Sequence, residues 1–108
     1  MTNYSLIETR RVRLENEEEI KIDYYLTNTK RYVDGEGKCI DEVNYIGDET
    51  DLYGVKLVKE GSTYEEDEIL GVSFSEENAK KLLKVLADNI VTPISLVDIV
   101  DDLTTQWM

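Results

Sequence analysis

The chain has 108 residues, enough for one domain with a single modest core. Hydrophobic residues make up 41% and charged residues 33%, which excludes a disordered chain, and no apolar run approaches the roughly 18 residues of a membrane span. Twelve Lys and Arg against 24 Asp and Glu give a net charge of −12, a field that repels phosphate backbones and anionic lipid; neither nucleic acid nor membrane is an expected partner.

The acidity is spread along the chain: residues 1–54 hold 7 basic and 13 acidic side chains, residues 55–108 hold 5 and 11. Such a charge serves solubility first, and it also suits a basic protein partner or mimicry of nucleic-acid charge. The N-terminus lacks a basic segment followed by an apolar stretch, so the expected compartment is the cytoplasm. There is one Cys and no His, which removes the disulfide, the Cys-based zinc site, the Ser-His and Cys-His nucleophile pairs and the commonest general base. Cys39, beside Ile40, reads as a packing residue. The glycines form no nucleotide-binding fingerprint, so no cofactor is expected. Arg10, Arg11 and Arg13 are too small a basic cluster for a nucleic-acid footprint.

In chain order, residues 3–14 place Tyr4, Leu6, Val12 and Leu14 on one parity, interrupted by Glu8 and Arg10, and this predicts an imperfect strand. Residues 15–18 are a polar turn. In residues 19–27, Ile20, Ile22, Tyr24 and Leu26 alternate with Lys21, Asp23, Tyr25 and Thr27, the clearest strand pattern in the chain. The two strands form an antiparallel hairpin, with arginines of the first arm available to pair with Glu17, Glu18, Glu19 or Asp23. Residues 34–38, "DGEGK", mark a turn between short strand-like arms; the ligand positions around it do not fit a calcium loop. Gly47 and "DETD" punctuate again before strands at 52–60 and 63–74, joined by "EGST". The last strand opens acidic and ends apolar, so only its second half is expected to be buried. The seven tyrosines (4, 24, 25, 32, 45, 53, 64) crowd this strand region, and an exposed subset would form a contact patch.

The period then switches. Ser75 is an N-cap, Glu76 and Glu77 suit the positive end of a helix, and Phe74 is placed to staple onto Ala79. Ala79, Leu82, Leu83, Leu86 and Ile90 recur at helical spacing, with Glu76–Lys80 and Glu77–Lys81 as i,i+4 pairs on the polar side and Asn89 as the stop. Thr92-Pro93 starts a second helix, as a hydroxyl cap followed by a residue suited to the first turn. On that helix Leu96, Val97, Ile99, Val100 and Leu103 cover one arc, Ser95, Asp98, Asp101 and Asp102 the other, and Ile94 lies near the edge. Three neighbouring carboxylates bind a hard cation only if more oxygen ligands converge on them, and these sit where the helix dipole disfavours anions.

The C-terminal half resembles an uncharacterised family of short proteins from Gram-positive anaerobic bacteria, over roughly residues 50–103. The matching features are Tyr53-Gly54 at a strand start, the helix begun by Ser75, and a Pro-led segment ending in Asp98 to Asp102. In that pattern a His often stands where Ser95 stands here. The resemblance implies a shared fold and no reaction.

The expected architecture is a single α+β domain over residues 1–108: an antiparallel sheet of about four to five strands followed by two C-terminal helices packing on it. The expected function is a small acidic non-catalytic protein-interaction or regulatory module, with self-association or a protein partner engaged through Leu96, Ile99, Val100, Leu103 and Trp107. Two alternatives stand beside it: a metal-binding protein or enzyme using Asp98, Asp101 and Asp102 with Asp48 or Asp51, and an acidic nucleic-acid mimic that binds a basic protein.

Overall fold

Alternating residues in β2 (Glu19–Val33) decide the layering of the molecule. Ile20, Ile22, Tyr24 and Leu26 all point to one side and are buried, which makes that side the core face of the sheet. The computed structural model describes the backbone of residues 2–33, 39–40 and 48–107, and side chains over 2–30 and 50–103. The expected turn at 34–38 and the side chains of Tyr32, Cys39, Tyr45, Asp48 and Trp107 lie outside those bounds.

β1 (Thr2–Arg13), β2, β4 (Asp48–Glu60) and β5 (Glu65–Ser73) form an antiparallel sheet in the order β1-β2-β4-β5. The two-residue β3 (Cys39–Ile40) pairs with Tyr32 and Val33 of β2, just past the point where β1 ends at Thr2–Thr29. Two helices follow: α1 (Glu76–Asp88) and α2 (Leu96–Trp107), the second entered through a 3-10 turn at Pro93–Ser95. This is the expected α+β order.

The core lies between the inner sheet face and the helices. Ile22, Tyr24, Val55 and Leu57 from the strands meet Ala79, Leu82, Leu83 and Leu86 from α1, and Leu96 and Val100 from α2. Each buried Val, Leu or Ile among them stabilises the fold by about 1.5–3 kcal/mol before chain entropy is subtracted.

Several expectations change. The parity of β1 is broken by a register shift between Leu6 and Glu8. Before it, Tyr4 and Leu6 stand opposite Thr27 and Tyr25 on the outer face; after it, Glu8, Arg10 and Val12 stand opposite Tyr24, Ile22 and Ile20 on the inner face. A bulge inserts one residue and so flips every later side chain, which is why no single parity described this strand. "KRYV" is not a separate arm but the end of β2, and "DETD" is not punctuation but the start of β4. A cross-strand partner overrides local turn propensity there, since Asp48 to Asp51 pair with Val33 to Lys30.

Gly54 has a steric duty at a second bulge, between the Tyr53–Ser73 and Val55–Ile69 pairs. A Cβ on Gly54 would lie 2.0 Å from the Ile69 carbonyl oxygen, so the β5 backbone closes on this position only because no side chain is there.

α1 begins as expected, with Ser75 Oγ accepting from the Asn78 amide at 3.3 Å and the Glu76–Lys80 and Glu77–Lys81 pairs formed. Phe74, the expected staple, remains 55% exposed. Ile90, expected on the buried face of α1, lies beyond its end at Asn89 and is partly exposed. Thr92 precedes the second helix as expected, but its hydroxyl makes no capping bond; its carbonyl accepts from the Ser95 amide instead, which begins the 3-10 turn. Val97, expected on the apolar arc, is exposed: the core-facing stripe of α2 is Leu96 and Val100 with Ile99 and Leu103 packed against its margin, and helical spacing turns Val97 to the side away from Ile99 and Leu103.

Candidate docking surface

The α1–α2 connection is tied down at its centre. The Tyr24 hydroxyl, rising from the middle of β2, donates to the Val91 carbonyl at 2.9 Å, and burial pushes its pKa up to about 12. Just before Val91, the chain ends α1 in a Schellman arrangement: the Ile90 amide donates to Ala87 O at 3.1 Å and the Val91 amide to Leu86 O at 3.0 Å. That motif needs a left-handed residue, and Ile90 occupies it with φ 51°. Glycine is the usual occupant; for a β-branched residue the left-handed region costs about 1–2 kcal/mol.

Ile90 borders an open groove of about 430 Å³, lined also by Val85 and Asn89 of α1, Val91, Thr92, and Ser95, Ile99 and Leu103 along α2. Ser95, Ile99 and Leu103 recur every fourth residue and so form one stripe of that wall. Helical spacing puts the exposed Asp98 and Asp102 along the outer lip of the stripe. On the α1 side the groove is lined by Val85 and Asn89. Five of the eight lining residues are apolar and three, Asn89, Thr92 and Ser95, are polar, and exposed acids follow the α2 side.

The sequence-predicted interface residues divide between two places. Leu96 and Val100 are in the core, where they anchor α2 to the sheet; Ile99 and Leu103 line the groove; Trp107 ends α2. Val85 and Ile90 were missed. Their only signal in the sequence is a helix that ends at Asn89 with no glycine after it.

Asp98, Asp101 and Asp102 are exposed, and among the described residues no group of three His, Cys, Asp or Glu is arranged to hold a metal ion. Asp51, a suggested further ligand, instead pairs with Lys30 at 2.6 Å.

The outer face of the sheet carries an ordered polar lattice. Tyr4 on β1 reaches across to β5, its hydroxyl donating to Glu68 Oε2 at 3.0 Å, with Lys56 Nζ 4.8 Å from its ring centre. The Glu68 carboxylate holds the Tyr4 phenol protonated to higher pH than usual. Asp23, nearly buried on this face, accepts from the Thr9 hydroxyl at 2.7 Å and lies 3.6 Å from Lys21 Nζ. Tyr64 remains exposed beside this lattice, and its hydroxyl donates to Glu66. These tyrosines are engaged with neighbouring charges of the same sheet.

An antiparallel sheet of four long strands and the short β3, covered on one side by two C-terminal helices with a groove between them, defines a small α+β domain. The chain belongs to the family of unknown function DUF6514, whose model matches residues 3–106 and so includes the N-terminal strands that carried little of the resemblance. Comparison with curated proteins and with solved structures returns no match. No described helix is long and apolar enough to cross a membrane.

Proposed function

We propose that this domain is a non-catalytic protein-interaction module that seats an amphipathic helix of a basic partner in the α1–α2 groove. The observation that carries the reading is Ile90. A left-handed cap position that glycine would fill without strain holds a branched apolar residue, and that residue borders the groove. Burial of Ile90, Ile99 and Leu103 under a partner would return the free energy that the backbone gives up at Ile90.

The charge supports a basic occupant. The net charge of −12 raises the encounter rate with a cation-rich surface, and Asp98 and Asp102 orient the basic side of the incoming helix along α2. Helix-in-groove docking is read as apolar anchors at i, i+4 and i+7 with flanking charges.

The test is a titration of the isotopically labelled chain with a designed helix carrying leucines at those spacings and flanking lysines. The expected result is shift changes at Ile90, Ile99 and Leu103, lost in Ile99→Glu and weakened by salt. Shifts spread over the outer sheet face, or binding unchanged by Ile99→Glu, would remove the groove as the site.

A further inference from the structure

The strongest unassigned feature is the acidic edge of the sheet at β5. Among the described residues nothing pairs with the side of β5 that faces away from β4. Pairing with β4 runs from Lys59–Glu65 to Val55–Ile69 and then steps to Tyr53–Ser73, so Leu70, Gly71 and Val72 bulge opposite Gly54 alone. A bulge blunts an edge against further pairing, and this one falls inside the uncharged stretch 69–75. The part left straight runs from Glu65 to Ile69 and opens with four successive acids, residues that suit a strand poorly.

Both faces of that part are open, since the successive residues Glu66, Asp67 and Glu68 are all exposed. Glu66 and Glu68 stand opposite Val58 and Lys56 on the outer face, Glu65 and Asp67 opposite Lys59 and Leu57 on the helix side. Lys56 and Lys59 reach Glu66 at 3.8 Å and Glu65 at 3.3 Å. Among the described residues no cation pairs with Asp67 or Glu68, which accept from the Glu68 amide and the Tyr4 hydroxyl. Beside these acids lie the two most exposed large hydrophobic side chains among the described residues, Ile94 at 80% and Tyr64 at 61%. With Pro93, Glu65, Glu66 and Asp67 they line one open pocket of about 390 Å³ at the start of β5.

We infer that β5 takes an extended arginine-rich segment of a protein partner as an added strand. Charge selects that occupant: four successive acids turn away a second copy of this chain and draw in a cationic strand. Side chains of an added strand alternate between faces, so its arginines meet the acids on both. On the outer face one arginine stacks on Tyr64 beside Glu66, and the next on that face reaches Glu68. On the helix side an arginine reaches Asp67 while its methylene stem covers Ile94. Backbone pairing supplies the affinity and the acids the selectivity. This site shares no lining residue with the α1–α2 groove and does not rest on the helix-docking reading.

The test is a titration of the isotopically labelled full chain with the capped peptide Arg-Arg-Val-Arg-Arg. A second titration uses the same peptide N-methylated throughout, which keeps its charge and loses its backbone donors. The expected result is amide shifts over residues 64–69 and at Ile94, with hydrogen exchange slowed at alternate amides of 65–69, those that point away from β4. The methylated peptide is expected not to bind. Asp67→Lys is expected to weaken binding at least about tenfold, and Ile94→Ser to weaken it, both at unchanged melting temperature because both side chains are exposed. Ile99→Glu, in the helix groove, is expected to leave this binding unchanged, so the two sites stand or fall separately. Absence of binding would overturn the inference, as would equal binding of the methylated peptide, unchanged exchange in β5, or indifference to Asp67→Lys.

Discussion

The Tyr24 hydroxyl on the central strand β2 and the Val91 carbonyl in the α1–α2 link are joined by a buried hydrogen bond of 2.9 Å. The bond spans 67 positions of sequence and fixes where the chain turns between its two helices, and therefore where the groove opens. Tyr24→Phe removes the donor and leaves a buried carbonyl without a partner. The expected loss is about 1–3 kcal/mol of stability, read as a lower denaturant midpoint at unchanged slope.

The same phenol makes stability depend on alkaline pH. Burial raises the Tyr24 pKa to about 12, above the unfolded value near 10. A raised folded pKa means that the contribution is complete below about pH 10 and is lost as pH climbs through about 12. Wild-type stability should fall across that window, and Tyr24→Phe should fall less steeply there. Identical slopes in parallel alkaline melts would contradict this account of Tyr24.

In the proposed function, Ile90 sets stability against docking. Ile90→Gly relieves a left-handed backbone at φ 51°, and the expected gain is up to about 1 kcal/mol, smaller than the full strain because glycine loses more chain entropy on folding. The variant should melt higher and bind the designed helix more weakly. A variant that melts lower would show that the side chain's contacts outweigh the strain.

Gly54→Ala tests the β4–β5 bulge. The new methyl would meet the Ile69 carbonyl oxygen, which belongs to backbone and cannot swing aside. The expected destabilisation is about 1–3 kcal/mol, with the largest amide-exchange changes in β5.

The hairpin between β1 and β2 offers a gain. Glu17 ends its three-residue loop with φ 67°, and the Glu17 amide donates to Leu14 O at 2.9 Å, the arrangement in which glycine is favoured. Glu17→Gly should raise the unfolding free energy by about 0.5–1 kcal/mol, measured by urea titration.

Much of this architecture was legible in the chain. Alternation in residues 19–27 named the inner face of β2, and Ser75 with its following acids began α1 at the right residue, because period and capping are local properties of the backbone. The aliphatic arc of the second helix was also legible, though not its division: Leu96 and Val100 enter the core, while Ile99 and Leu103 line a groove and Val97 faces solvent. Three features needed the tertiary structure. The bulge after Leu6 exists because β1 must match the twist and register of a partner strand, so its parity cannot be read from β1 alone. Ile90 takes a glycine's conformation because the end of α1 before it and the buried Val91 after it, held through its carbonyl by Tyr24, fix the link against its own preference. The acids at residues 65–68 were visible as letters, but only strand order shows that they lie on an edge. Local sequence determines which residues prefer to be hidden; which of them are left uncovered depends on what the rest of the chain packs against them.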